Sequence, residues 1–286
     1  PNNRMPAIID QDPADGGDGV VRPFTWNGSS WEEQPSFVPE PQFAFAAEFG
    51  WTVAVSYDGN TAAVGAPGDI HADLGKRALG SVYVFTRDPA TGEWAQQARL
   101  IKPEPGSSQS FGQTIALSDS GEQLVVGQRN HVGSEWANIP DTAWIFSREN
   151  GVWSSPVELI GTDLVPEDEF GVAVAISPDG QRVAVAANGQ GMTDGRVFVF
   201  RQEGTGWIVE QILDHPEAVD AISWDGFGAA VALGNDVLMV GNPLHDDVEA
   251  DRESTGAVFV FNFDGSEWVR QPELIRMSSF GESWAG

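Results

Sequence analysis

The sequence of 286 residues contains no cysteine and only two lysines, Lys76 and Lys102. Without cysteine, the chain cannot form a disulfide framework, a zinc–thiolate site or a catalytic thiolate. It also lacks any apolar run of the roughly 18 residues needed to span a bilayer. We therefore expect no insertion in a membrane.

Positive charge is scarce as well. Acidic residues outnumber basic ones by 42 to 15, which gives a formal net charge of −27. Because such a surface repels phosphate groups, nucleic acids and anionic membranes are not expected as partners. The sequence has no Gly-x-Ser-x-Gly motif and no compact Ser/His/Asp pattern, so it does not indicate nucleophilic catalysis.

The most informative feature that the chain does contain is a repeat. The dipeptide Phe-Gly recurs at intervals of 62, 59, 57 and 53 residues. The five pairs are Phe49-Gly50, Phe111-Gly112, Phe170-Gly171, Phe227-Gly228 and Phe280-Gly281. Self-similarity at a near-constant period indicates an array of similar structural units.

Each of the first four pairs opens the same series of apolar runs. A first run is followed by a tight polar turn, a second run and a longer polar loop; a third run ends in Phe, and a fourth begins at Trp. The third runs are 82–85, 143–146, 197–200 and 258–261, and the fourth runs begin at Trp94, Trp153, Trp207 and Trp268. β-Branched and aromatic residues dominate these runs without a 3.6-residue period. This pattern predicts an all-β protein with four strands in each unit.

The first two strands of each unit are apolar on both faces, so each sheet must be covered on both sides. Four-stranded blades stacked around an axis provide this cover in a β-propeller, and a solenoid is the weaker alternative. Residues 1–48 resemble a unit without its first strand: residues 7–10 match the second strand, residues 20–24 match the third, and Trp31 opens the fourth. Residues 280–286 resemble a first strand alone.

We therefore predict a single domain, residues 1–286, of five blades closed by strand exchange between the two ends of the chain. Part of a seven-bladed propeller is the alternative. The composite blade comprises residues 1–48 and 280–286, and the other blades are 49–110, 111–169, 170–226 and 227–279.

Three segments of the second unit resemble a known repeat family. Phe49-Gly50, Val64-Gly65-Ala66-Pro67 and the run 80–85 are similar to the FG-GAP repeat, best known from the propeller of integrin alpha subunits and from microbial and algal surface proteins. The resemblance implies a secreted or cell-surface protein, whose signal peptide is not present in this chain, with a role in adhesion or in a surface filament. The calcium loop of integrin-like repeats is missing from these hairpins, so the calcium sites of the family are not carried over.

One acidic segment is a candidate metal site. Asp10, Asp12, Asp15 and Asp18 have a spacing that could wrap a calcium ion. A solvated acidic loop is the alternative, and the acidity of the whole chain favours it. No cofactor is required by any motif, and Ca²⁺ is the one candidate.

Aromatic residues and one sequon supply the other candidate sites. The tryptophans that open the fourth strands could stack on sugars, but packing between blades explains their recurrence better. Trp136 and Trp224 lie outside this pattern, in variable segments, and are candidate anchors for a partner. Asn27 in Asn27-Gly28-Ser29 is a candidate glycosylation site.

These features together predict a binding and assembly module that is not an enzyme. We expect it to recognise a protein, a glycan or neighbouring subunits of a surface structure through the loops between its strands. The alternative is a lectin or a glycan-active enzyme with a site at the mouth of the central channel.

Overall fold

The protein is all-β in the computed structural model used here, and the residues that this structure describes contain no α-helix. No helix among these residues is both long and apolar enough to cross a membrane. The described residues are 7–10, 19–40, 47–70, 79–103, 110–128, 141–165, 168–189, 195–216, 226–245, 256–272 and 275–276.

The described strands form five antiparallel sheets, which we number in chain order. The first sheet contains β1 (Ala7–Asp10), β2 (Val20–Trp26) and β3 (Trp31–Glu33). The second contains β4 (Thr52–Val55), β5 (Thr61–Ala66), β6 (Ser81–Arg87) and β7 (Trp94–Leu100). The third contains β8 (Phe111–Leu117), β9 (Gln123–Gln128), β10 (Thr142–Glu149), β11 (Val152–Trp153) and β12 (Val157–Leu159).

The last two sheets repeat this order. The fourth contains β13 (Phe170–Ile176), β14 (Arg182–Ala187), β15 (Arg196–Glu203) and β16 (Gly206–Asp214). The fifth contains β17 (Ala230–Leu233), β18 (Val237–Asn242), β19 (Ala257–Phe263), β20 (Trp268–Arg270) and β21 (Ile275–Arg276). In the third and fifth sheets, two short strands share the place of the fourth strand. The prediction of an all-β fold built from four-stranded, propeller-like sheets is confirmed.

The Phe-Gly pairs form tight turns that lead into the first strand of the second, third, fourth and fifth sheets. Phe49, Phe111, Phe170 and Phe227 are buried, and the glycines that follow them have φ between 91° and 98°. In the second sheet, the amide of Trp51 donates to the carbonyl of Glu48 at 3.0 Å, across the Phe-Gly pair. A glycine with positive φ is what the third position of such a turn requires, because a side chain there would be strained.

Successive sheets approach closely at these turns. A Cβ on Gly65 would collide with the carbonyl oxygen of Gly112, and one on Gly127 would collide with that of Gly171. Thr52 and Thr114, which pair with these glycines, donate their hydroxyls to the same two carbonyls at 3.1 and 2.8 Å. The apolar clusters likewise join each sheet to the next. The first strands of sheets two to five contact one another in sequence and so lie on the inside of the array.

The blade count and the closure of the ring stay predictions. The strand predicted at 280–286 lies outside the described residues, and the predicted blade boundaries are not tested. The structure does place β1 and β2 where the sequence predicted the second and third strands of the first unit.

Substitution of Gly127 tests the close approach. We expect Gly127→Ala to lower the free energy of unfolding by about 2 kcal/mol, because the new methyl group must push two sheets apart. Gly206→Ala is the matched control: Gly206 also lies in a strand, and the nearest atom to a Cβ there is 3.8 Å away. Urea unfolding of both variants measures the difference, and equal stabilities would contradict the close approach.

Candidate functional site

The two ends of the strands form rims of very different character. The connections from first to second strand and from third to fourth strand have two to six residues, and we call this end the short-turn rim. The connections from second to third strand and from each sheet to the next have eight residues or more, and we call this end the long-loop rim. Examples are the segments 67–80, 129–141 and 243–256.

The short-turn rim is held by hydrogen bonds within and between turns. In the second sheet the Ser56 hydroxyl donates to Asp58 at 2.6 Å, and the Asn60 amide donates to the same carboxylate. Partial burial alone would raise the pKa of Asp58, but these hydrogen bonds outweigh it and the pKa is lowered. The Tyr57 amide also donates to the carbonyl of Asp119, in the third sheet, at 2.9 Å. The connections on this rim are therefore short turns with a fixed conformation, and not long loops.

The long-loop rim is anchored at the base of its loops by ion pairs whose carboxylates are buried. Asp69 is buried, accepts from the Tyr83 hydroxyl at 2.8 Å and pairs with Arg99 at 2.7 Å. Burial raises the pKa of Tyr83, and the charge of Asp69 and its hydrogen bond raise it further. The carbonyl of Asp69 also accepts from the amides of Leu79 and Gly80, so the two ends of the segment 70–79 are held together.

A second ion pair anchors the connection between the third and fourth sheets. Buried Asp168 pairs with Arg196 at 3.2 Å and accepts from the amide of Val165 at 2.9 Å. Arg196 also donates to the carbonyl of Asp163 at 3.0 Å. Both pairs thus fix loop bases on the same rim.

Two histidines meet where the fourth and fifth sheets join on this rim. His215 and His245 are buried, their ring centroids lie 6.2 Å apart, and both contact the ring of Phe259 edge-on. A His215 ring nitrogen lies 2.9 Å from the Asn242 side-chain amide. Sequence reasoning did not pair these histidines, because 30 residues separate them and no motif links the two loops.

Buried polar groups also occur where the second and third sheets join. Burial lowers the pKa of Lys102, an effect partly opposed by the charge of Glu158. Its ammonium lies 5.9 Å from the ring centroid of Trp144. At the end of β9, Gln128 is fully buried and its carboxamide has no hydrogen-bond partner among the described residues.

Four of the five repeating tryptophans pack against other parts of the protein. Trp94 lies against Phe37, Trp153 donates its indole N–H to Gln97 at 3.0 Å, and Trp268 donates to Glu210 at 3.1 Å. Trp207 joins the cluster between the third and fourth sheets. These four residues have the packing role that the sequence favoured. Trp31 is the exception, since its side chain is exposed.

The predicted site residues fall mostly outside the described part of the chain. Asp10 ends β1, and Asp12, Asp15 and Asp18 lie outside the described residues, as do Trp136 and Trp224. The calcium site and the aromatic anchors therefore stay predictions. Within the described ranges, no group of three or more acidic or histidine side chains could hold a metal ion.

Asn27 lies in the exposed turn between β2 and β3, on the short-turn rim. Its side-chain oxygen accepts from the amides of Ser29 and Ser30 at 2.9 Å. Its amide nitrogen donates to Glu32 at 2.5 Å. The turn exposes the residue, and its glycosylation stays a prediction.

Comparison with known proteins supports the fold. The FG-GAP repeat family model matches residues 31–85 and 217–261, so these two segments are similar to FG-GAP repeats. No curated protein sequence matches the chain. A Bacteroides uniformis crystal structure provisionally named a 6-phosphogluconolactonase is 12% identical, with a TM-score of 0.59 over 98% of this chain and 69% of that chain. KlAtg21, solved in complex with the coiled coil of AgAtg16, is 11% identical, with a TM-score of 0.54 over 91% of this chain and 68% of that chain. At these identities the likenesses show the fold alone.

The role of Asp69 in anchoring the long-loop rim is testable. We expect Asp69→Asn to lower the free energy of unfolding by about 2 kcal/mol, because Arg99 loses its partner and one side of that pair is buried. The exposed pair Arg22–Glu33 is the control, and Glu33→Gln should change stability by less than about 0.5 kcal/mol. Urea unfolding at low salt compares the two, and a loss in Glu33→Gln as large as that in Asp69→Asn would contradict the anchoring role.

Proposed function

We propose that the protein is a non-catalytic, extracellular or cell-surface module that binds a protein, a glycan or neighbouring subunits through its long-loop rim. The difference between the two rims carries this proposal. One rim is limited to turns of two to six residues, and the other presents longer connections on anchored bases. Long surface loops on a rigid scaffold are where binding functions concentrate.

The charge of the chain supports a neutral or basic partner. At least six arginines of the described residues are already in ion pairs, among them Arg148 and Arg182, which reach across to neighbouring sheets. The segment 246–255, which belongs to the connection between β18 and β19, carries five acidic residues and one arginine. A partner with basic groups, or one bridged by divalent cations, would complement this rim.

FG-GAP repeats occur in extracellular and surface proteins, which supports the proposed location. The second candidate, a lectin or glycan-active enzyme, is favoured by the exposed Trp51. This residue precedes β4, on the inside of the array and on the long-loop rim. The distant likeness to a structure named a lactonase keeps the enzyme alternative open to test.

A charge-matched pair of variants tests the proposed rim. The first changes Asp246, Asp247, Glu249, Asp251 and Glu253 to their amides. The control changes five exposed acidic residues of the short-turn rim to their amides, Glu93, Asp119, Glu149, Asp236 and Glu267. We expect the first variant to lose at least about tenfold in affinity for glycan and basic-peptide arrays, because the long-loop rim contacts the ligand. The control should bind like the wild type, and array fluorescence at two salt concentrations measures both.

The opposite ranking would contradict the proposal, since a control variant that loses affinity places binding on the short-turn rim. The enzyme alternative is tested on the same proteins with lactone and glycoside substrates. Turnover of either substrate by the wild type that Trp51→Ala abolishes would favour the enzyme alternative, and turnover of the glycoside would place the protein in the glycan-active class.

A further inference from the structure

The buried histidine pair at the junction of the fourth and fifth sheets is not required by the repeat. His215 is 5% exposed and His245 is 4% exposed, and both rings contact Phe259 edge-on. The positions equivalent to His215 are Lys102 in the second sheet and Gly161 in the third. Histidine at this position is therefore a feature of one junction and not of the fold.

His245 occupies the position that Asp69 has in the second sheet. Each lies three residues after the last pair between the second and third strands of its sheet. The carbonyl of Asp69 accepts from the amide of Gly80 at 3.2 Å, and that of His245 accepts from the amide of Gly256 at 3.1 Å. The backbone thus closes both loop bases in the same way, whatever the side chain.

The side chains at this position differ in what they can do. Asp69 accepts a hydrogen bond from the Tyr83 hydroxyl at 2.8 Å and pairs with Arg99 at 2.7 Å. The residue equivalent to Tyr83 in the fifth sheet is Phe259, which has no hydroxyl. The hydrogen bond from a tyrosine that helps to hold Asp69 is therefore not available to the imidazole of His245, and this side chain has another role.

Asn242 is placed to orient the ring of His215. It is 1% exposed, and its side-chain nitrogen lies 2.9 Å from Nε2 of His215. Its side-chain oxygen is buried and has no hydrogen-bond partner among the described residues. A turn of the amide by 180° brings this oxygen to the Nε2–H group. A carbonyl oxygen in that position fixes the tautomer of a metal-binding histidine and leaves the lone pair on Nδ1.

The spacing of the two rings suits one shared metal ion. An imidazole nitrogen binds zinc at about 2.0–2.1 Å, so the ion lies about 3.2 Å from the ring centroid. Two rings that share an ion therefore have centroids about 5 to 6.4 Å apart. The centroids of His215 and His245 are 6.2 Å apart. Imidazole ligands select zinc, copper or nickel, whereas calcium and magnesium take oxygen ligands.

We propose that His215 and His245 bind one transition-metal ion of the zinc class across the junction between the fourth and fifth sheets. Nδ1 of His215 and a ring nitrogen of His245 are the protein ligands, Asn242 orients His215, and water completes the coordination. Two protein ligands are fewer than the three or four of resident zinc sites, so the ion is exchangeable. The net charge of −27 attracts cations to the protein, and the bound ion ties the two sheets together.

Titration calorimetry of the full chain with Zn²⁺ tests the proposal, with excess Mg²⁺ present to occupy weak carboxylate sites. We expect the wild type to bind Zn²⁺ at one site and His215→Gln or His245→Gln to lose at least about tenfold in affinity. Asn242→Ala should also lose about tenfold. The fold tolerates this change, since Ala66 and Ala187 occupy the equivalent positions.

The matched control is the double variant His71→Gln with His131→Gln, which removes the other two histidines. It should bind Zn²⁺ like the wild type. Its NMR spectrum gives a readout that does not depend on the folding of the other variants, because only two histidines remain and Zn²⁺ should shift the ring signals of both.

Several results would overturn the proposal. In the double variant, ring signals that do not respond to Zn²⁺, or a loss of Zn²⁺ affinity, would exclude the pair as the site. Folded His215→Gln and His245→Gln variants that bind Zn²⁺ as tightly as the wild type would do the same. Binding that excess Mg²⁺ abolishes would assign the ion to surface carboxylates.

Discussion

The close approach of successive sheets at the Phe-Gly turns is the constraint on which the rest of the structure depends. It requires a glycine with positive φ in the turn and a small residue at the facing position of the preceding sheet. When both are present, the second strand of each sheet is covered on both faces, as in β5 and β14. Apolar side chains then fill the space on either side of the contact. The rigidity of the scaffold, and so its capacity to present loops, follows from this contact.

The scarcity of positive charge has a structural consequence that composition alone does not reveal. Arg148 donates hydrogen bonds to Thr61 and Gln97 in the preceding sheet. Arg182 stacks on Phe263 in the following sheet, where its guanidinium carbon lies 4.1 Å from the ring centroid. Arg99 and Arg196 are used at loop bases. Because each of these four cations is paired with one carboxylate, the pairs are neutral and the whole excess of negative charge is carried by the other acidic residues. A surface of this kind favours solubility and basic partners.

Much of the fold was predictable because it is repetitive. The Phe-Gly spacing, the apolar runs and the opening tryptophans predicted the strands, and the structure places them accordingly. The contacts made once in the chain were not predictable in this way. The meeting of His215 with His245, and the exposure of Trp31 among five similar tryptophans, depend on which sheets lie side by side, and sequence periodicity says nothing of that. Candidate sites in unique loops, such as Trp136 and Trp224, have no repeat to compare with and remain hypotheses.

The chemistry at the junctions between sheets is not uniform, and the variation is coordinated. The second and third sheets pair a threonine with a glycine at the contact, Thr52 with Gly65 and Thr114 with Gly127. The fourth sheet pairs Ala173 with Ala186, and a Cβ on Gly228 would lie 3.1 Å from the methyl group of Ala186. In the fourth sheet, packing of a methyl group thus replaces the hydrogen bond that the threonine hydroxyl makes in the second and third sheets. Alanine replaces both the threonine and the glycine of the pair. The fifth sheet pairs Ala230 with Gly241, which keeps the space of the first arrangement but has no hydroxyl to donate. A neighbour at that face could therefore approach as closely as a Phe-Gly turn does elsewhere, but the methyl group of Ala230 offers it no hydrogen bond at the point of closest contact.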